Sequence, residues 1–307
     1  MVDSLASERQ RDDHFFLAAL RWLSRNEVSS VSLACQHSQP LPLGTKRRPA
    51  LEVPGCLQHM PLYRVVDLFL GGVRDVAVIQ GDCCETTDAA IDIVSAWQSR
   101  LGELMVWSTI ERKPARNWTW SLSPDRVPVD RRGLLGLSRQ SENPWPVHHT
   151  DADAEARLVT SLRAAGVTTI KEPPTALALV ASGCTACGVC VAACPHDALT
   201  LAVDGTQTSL HHAPDICQGE QQCVALCPVE ALSIVGPLDW PTVLDGAPQV
   251  LATLQMAVCE RCRTRFPASP GQQWCETCRI RRSDPFGSHL PEAAIKLLKA
   301  RGHDRPL

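Results

Sequence analysis

The sequence Cys184-x2-Cys187-x2-Cys190-x3-Cys194-Pro195, followed by Cys217-x5-Cys223-x3-Cys227-Pro228, decides how the middle of the chain folds. Three Cys at the first spacing can wrap one face of an iron–sulfur cubane, while the fourth, just before Pro, points away and reaches a neighbouring cluster. The two runs are copies. Cys184 and Cys217 are 33 residues apart, as are Cys190 and Cys223, Cys194 and Cys227, Pro195 and Pro228, and Ala198-Leu199 and Ala231-Leu232. One ligand position breaks the match, because Cys187 falls on Glu220. Between the copies, Leu199–Val203, Asp204-Gly205 and Thr208–His212 read as strand, tight turn and strand.

On these motifs, residues 176–236 resemble the two-cluster bacterial ferredoxins. The resemblance implies a small pseudo-twofold α+β fold with two clusters packed between short hairpins and short helices. It also implies exchanged ligands. The first [4Fe–4S] cluster takes Cys184, Cys187, Cys190 and Cys227; the second takes Cys194, Cys217 and Cys223, with Glu220 in the place of a fourth Cys. A zinc site or disulfides would account for seven Cys, but zinc motifs lack the Cys-Pro ending and the crossed repeat. Carboxylate is a harder ligand than thiolate. Glu220 therefore leaves three outcomes open: an oxygen-ligated fourth iron, a [3Fe–4S] cluster, or an empty second site.

Beyond the repeat, Gly236–Gln255 reads as a connector. Then comes Cys259-x2-Cys262-x12-Cys275-x2-Cys278, two knuckles at the separation of a four-thiolate zinc ribbon. Rubredoxin-type iron is the rival, but Cys-Glu-Arg-Cys and Cys-Glu-Thr-Cys lack the Pro and Gly usual in its knuckles. Zinc has no redox chemistry, so the module is structural or serves docking. Arg261, Arg263, Arg265, Arg279, Arg281 and Arg282 make it locally basic, which reads as a solvated face. Glu292–Arg301 reads as a short amphipathic tail helix.

Towards the N-terminus, strands and helices alternate, which implies an α/β domain with a parallel sheet. Asp13–Arg25 is an expected helix on the spacing of Phe16, Leu17, Leu20 and Leu23. Val28–Leu33, Ala50–Val53, Val73–Ile79 and Leu104–Thr109 are expected strands; Pro61–Leu70, stopped by Gly71-Gly72, and Thr86–Leu101 are expected helices. In a parallel sheet the segments after the strands share one edge, where ligands bind. Cys35, Cys56, Cys83 and Cys84 each follow a strand, so four thiols are expected at that edge, with His37 and His59 nearby.

Residues 28–109 resemble the delta subunit of methyl-viologen-reducing hydrogenases through Val53-Pro54-Gly55-Cys56, Pro61, Gly71-Gly72, Val76-Ala77-Val78-Ile79 and Gly81-Asp82-Cys83. That resemblance implies a [2Fe–2S] cluster on Cys35, Cys56, Cys83 and Cys84 and electron transfer to a heterodisulfide reductase. The sequence departs from the family where Gln80 directly precedes Gly81, in place of Gly-Cys, and in lacking an Arg after the first Cys. A degenerate domain with buried or free thiols is the alternative. A thiol-reductase-like enzyme using this edge is a third reading.

Glu111–His149 is rich in Pro, Arg and Trp and reads as an extended connector, with Trp118, Trp120 and Trp145 as packing or partner anchors. Asp151–Ala165 reads as a helix capped by Thr150 or Asp151 and leaning on the ferredoxin segment. The expected organisation is an α/β domain at 1–110, a linker at 111–150, the ferredoxin domain with its preceding helix at 151–236, a zinc ribbon at 256–282 and a tail helix at 283–307.

The 307 residues, 44% hydrophobic, suffice for two or three domains with real cores. A net charge of −3 and the lack of a basic stripe argue against nucleic acid. The 15 Cys fall in metal-ligand spacings rather than a disulfide framework, which favours a reducing, cytoplasmic setting. Met1–Asp13 is polar, unlike a signal peptide, and no run of 18 apolar residues could span a membrane. No Gly-x-Gly-x-x-Gly follows a strand, and no nucleophile and base stand together. The expected function is electron relay within a larger oxidoreductase, with other redox subunits as partners. The alternative is a non-catalytic iron–sulfur and zinc assembly or docking protein.

Overall fold

The computed structural model describes residues 2–35, 44–79, 89–110, 120–124, 127 and 153–283. They divide into two compact units. The first comprises the chain through Leu177, with Pro214–Gly219 and Pro237–Ala247; the second comprises Ala178–Ala213, Glu220–Gly236 and the chain from Pro248 onward.

The first unit is built on a five-stranded parallel sheet of β1 (Ser30–Cys35), β2 (Ala50–Val53), β3 (Asp75–Ile79), β4 (Val106–Ile110) and β5 (Ser121–Leu122), in the order β4-β3-β1-β2-β5. Val31, Leu33, Leu51, Val76 and Val78 are almost wholly buried, as expected for strands covered on both faces. Helices α1 (Val2–Arg25), α2 (Leu62–Leu70) and α3 (Ala89–Leu101) complete the α/β pattern. The sheet order reverses beside β1, and the carboxyl ends of β1 and β3 form the switch point where such sheets bind ligands. Helix α1 begins well before the expected Asp13. The short β5 lies in the stretch read as a structureless connector; it pairs with β2 because its backbone completes an otherwise open sheet edge.

Helix α4 (Ala154–Ala164) corrects a second expectation. Its cap is Asp153, whose carboxylate accepts a hydrogen bond from the Ala156 amide at 2.9 Å. Its buried Leu158, Val159 and Leu162 join the core of the first unit, and the helix also meets the expected ferredoxin segment, where Arg163 donates to Asp215 at 3.1 Å and Gln218 donates to Asp153. The expected features at His37, Cys83, Cys84, Thr86, Trp118 and Trp145, and the tail helix Glu292–Arg301, lie outside the described residues. Among the described residues no helix is long and apolar enough to cross a membrane.

The second unit starts within β6 (Leu177–Ala181), followed by α5 (Val189–Ala193), the hairpin β7 (Leu199–Asp204) and β8 (Gln207–His212), α6 (Gln222–Ala225) and all but the last residue of β9 (Leu232–Pro237). Strands β6 and β9 pair, and β7 pairs antiparallel with β8. Gly236–Gln255 is not a connector. It holds the end of β9, a short helix α7 (Trp240–Asp245) that buries Trp240 and Val243 in the first unit, and most of the ten-residue strand β10 (Gln249–Val258). Gln249–Gln255 of β10 pairs with β8, and Met256–Val258 pairs with β11 (Arg265–Pro267). The sheet order is therefore β11-β10-β8-β7. Helix α8 (Glu276–Ser283) closes the described chain.

One buried charge cluster ties α1, α2 and α4 together. Asp13 of α1 accepts hydrogen bonds from Arg157 of α4 at 2.7 Å and from Arg64 of α2 at 2.9 Å. Arg157 also donates to the Tyr63 hydroxyl at 3.1 Å, and Ser161 donates to Asp67 at 2.7 Å. Both arginines are buried, so removing their shared carboxylate would leave two poorly compensated cations. Burial pushes the Asp13 carboxyl up, but the hydrogen bonds from Arg157 and Arg64 outweigh it and hold it below the usual 3.8. A depressed folded-state pKa adds stability above the unfolded value and loses it as pH falls through the folded one. Asp13→Asn should destabilise the first unit by on the order of 3 kcal/mol at neutral pH. The gap to the unsubstituted protein should narrow in acid, as read from urea transitions by tryptophan fluorescence.

Candidate iron–sulfur and metal centres

In the second unit, Cys184, Cys187, Cys190 and Cys227 line one cavity, walled by Leu201 and Leu210 of the β7–β8 hairpin. Three of these Cys come from the first copy of the repeat and one from the second, as the crossed spacing requires. Gly188 caps α5 at a φ of 79°, a left-handed turn that lets Cys187 and Cys190 bracket the start of a five-residue helix. The Ala186 amide donates to Cys184 Sγ at 3.4 Å. Burial pushes the Cys190 thiol up to about 11, with the neighbouring Cys184 adding to the effect. Cys227 is opposite in character. Burial raises it, but backbone amides, led by that of Ala231 at 3.2 Å, outweigh burial and lower its pKa. Four sulfur donors around a mainly apolar wall, with N–H groups aimed at the sulfurs, fit a [4Fe–4S] cluster.

The repeat is visible in the backbone. Strands β7 and β9 begin at Leu199 and Leu232, again 33 residues apart. Left-handed φ angles recur at Ala186 and Gly219, at Gly188 and Gln221, and at Asp197 and Glu230. The amide bond to the last sulfur recurs too: Ala198 donates to Cys194 at 3.4 Å, as Ala231 does to Cys227. Of the second ligand set, Cys194, Cys223 and Glu220 belong to the second unit, whereas Cys217 lies in Pro214–Gly219, which clusters with the first. Glu220 is half exposed, and its carboxylate meets His196 Nε2 at 3.1 Å. Sequence reading missed His196, whose mate 33 residues on is Val229. It also missed His212, which is completely buried on β8 and whose pKa is lowered by that burial.

The ligand atoms of Cys259, Cys262, Cys275 and Cys278 lie within 4.8 Å of one another, and all but Cys262 are buried. A tetrahedral zinc with sulfur bonds of roughly 2.3 Å would hold its sulfurs about 3.8 Å apart; Cys262 and Cys275 are already at 3.6 Å. Burial raises Cys259, but the amides of Cys262, Cys275 and Arg261 bring it down to about 6. Cys278 is pushed up to about 12 by burial and by the neighbouring thiols. Four thiols this close resist ionising together, and a bound cation would hold all four as thiolates, as a four-thiolate metal site requires. Arg282 stacks over Trp274 at 4.4 Å from the ring centre, so this arginine is not merely solvated surface.

At the parallel-sheet edge, Cys35 is the buried last residue of β1, and its Sγ accepts the Leu57 amide at 3.3 Å. The carboxyl end of β1 is thus brought beside the residue following Cys56. Cys56 itself is half buried, with its Sγ 3.9 Å from Gln58 Oε1. His59 is exposed in a single 3₁₀ turn, Leu57–His59.

Residues 183–231 match the 4Fe-4S dicluster domain family. A ferredoxin of Pyrobaculum islandicum is 44% identical over 50 residues, which is 16% of this chain and 44% of that ferredoxin. The chain thus spans under half the length of the relative it matches. The middle segment is a ferredoxin-type domain that binds 4Fe–4S, which supports an iron–sulfur electron-transfer role.

The four-sulfur group generates a prediction. Cys259→Ser should lose one bound metal per chain and unfold residues 256–282, because a structural metal supplies much of the folding free energy of so small a module. The visible absorption of the ferredoxin clusters should be unchanged. Metal analysis and absorption spectra of the purified variant check both.

Proposed function

We propose that the protein is an electron relay within a larger cytoplasmic oxidoreductase of the hydrogenase or heterodisulfide-reductase kind. The observation that carries this reading is the cavity lined by Cys184, Cys187, Cys190 and Cys227, with thiols drawn from both halves of the repeat. In this reading these four residues hold the first [4Fe–4S] cluster. Cys194, Cys217 and Cys223 hold a second, with Glu220 at its fourth corner. Cys35 and Cys56, joined by Cys83 and Cys84, hold a [2Fe–2S] cluster at the sheet edge, which would extend the relay into the first unit. Cys259, Cys262, Cys275 and Cys278 hold zinc and serve structure or docking. A relay needs a donor and an acceptor, so other redox subunits are its partners.

The rival reading is an iron–sulfur and zinc protein for assembly or docking, favoured by the four-thiolate group. Reduction separates the two. The anaerobically purified protein should be reduced by a low-potential donor and reoxidised by an acceptor protein, cycle after cycle, in stopped-flow absorption. Clusters that resist both steps would exclude the relay.

Glu220 gives the second site its own signature. A carboxylate or a vacant corner makes the fourth iron labile, and an oxygen ligand changes the charge and sulfur donation that set the potential. The air-oxidised protein should show a three-iron signal in electron paramagnetic resonance. Glu220→Cys should remove most of that signal and bring the two cluster potentials closer. Iron for only one four-iron cluster in residues 176–236, with no three-iron signal, would mean that the second site is empty.

A further inference from the structure

His212 is the least expected residue in the second unit. It has no exposed surface, and neither Nδ1 nor Nε2 has a hydrogen-bond partner among the described residues. A buried imidazole left in this state costs on the order of 1–3 kcal/mol, so a partner is expected.

Its place on the hairpin says where that partner lies. Residues two apart on a strand share a face, and residues directly opposite on antiparallel strands do too. Leu201 and Leu210 are opposite one another and wall the first cluster cavity. Leu199 and His212 are the next opposite pair on the same face, roughly 7 Å along the strands at 3.3–3.4 Å per residue. The following step is the backbone bond from the Ala213 amide to the Ala198 carbonyl at 2.8 Å, and the Ala198 amide in turn donates to Cys194 Sγ at 3.4 Å. His212 therefore stands on the cluster-facing side of the hairpin, displaced from the first cavity toward the backbone that cradles Cys194. Its mate 33 residues earlier is Leu179, which is apolar. The polar group is present on one half of the repeat only.

We propose that His212 donates a ring N–H to a sulfur of the cluster that Cys194 ligates, either the Cys194 thiolate or an adjacent sulfide, and that it raises the potential of that cluster above what its ligands alone would give. This rests on the reading of the segment as a two-cluster relay. The chemistry follows from charge. An N–H aimed at a cluster sulfur stabilises the more negative reduced state, and such hydrogen bonds are among the features that set iron–sulfur potentials. His212 is thus a positioning and tuning residue rather than a ligand.

The test uses the full chain, purified anaerobically with histidine labelled by nitrogen-15. Pulsed electron paramagnetic resonance of the reduced protein should show nitrogen-15 coupling and an exchangeable proton at one cluster, and both should vanish in His212→Leu. Potentiometric titration should show the potential of that cluster shifted downward in His212→Leu, with the other cluster unmoved. His212→Gln, which keeps an N–H donor, should restore most of the shift. Absence of the coupling in the unsubstituted protein, or unchanged potentials in His212→Leu at normal iron and sulfide content, overturns the proposal while leaving the relay intact. A chain that assembles fewer than two clusters in residues 176–236 overturns the two-cluster reading, and this proposal with it.

Discussion

A cluster with four corners must be met by four side chains at once, and the chain meets this demand by folding a sequence against its own copy. Cys227 belongs to the second copy yet lines the cavity of the first. That geometry requires left-handed backbone at matched positions in each half, and it is found there, at Ala186 and Gly219, Gly188 and Gln221, and Asp197 and Glu230. Half of these six sites carry side chains with a Cβ other than the Asn or Asp that tolerate such angles best. Strain of this kind persists only where surrounding structure over-determines it. Here the amide-to-sulfur bonds at Cys184, Cys194 and Cys227 and the flanking strand pairs supply that determination.

The two halves have diverged in polarity more than in shape. Glu220 replaces a Cys, His196 stands where the other half has Val229, and His212 where it has Leu179. His196 and His212 each add an ionisable group that the matching position lacks, and Glu220 exchanges a thiol for a carboxylate. Identical environments would give two clusters of similar potential. Potentials follow charge, hydrogen bonding to sulfur and solvent exposure, so these differences would set the potentials of two clusters held here apart.

Much of this was legible in the residues. Cys spacing carries metal chemistry directly, so the repeat and the four-sulfur group could be read without any fold. The parallel sheet followed from strands that alternate with helices, among them the apolar run Val76-Ala77-Val78, which is buried. Strand β10 was not legible. Gly236, Pro237, Pro241, Gly246 and Pro248 crowd the approach to it, and Gln249–Val258 lacks clean alternation, every residue but Met256 being intermediate or exposed. It becomes a strand because β8 offers a free edge. The packing of α4 was equally hidden. Leu158, Val159 and Leu162 announce an apolar face but not its partner. The Asp13–Arg157 pair that fixes it joins residues 144 apart. His212 was invisible for a different reason: a His in an alternating strand says nothing of burial until the sheet is formed.

Strand β10 is one continuous rod with two tenants. Its first seven residues are stitched to the ferredoxin hairpin and its last three to the four-cysteine knuckle. The two pairings lie on opposite edges of β10 and meet at Gln255–Met256, and the single irregularity, at Val250–Ala252, falls within the β8 pairing. The knuckle and the hairpin thus share one strand, which runs from the residue before Cys259 back along β8, the strand that carries both Leu210 and His212. A load applied at the far end would reach that hairpin along a single strand, without any messenger between them.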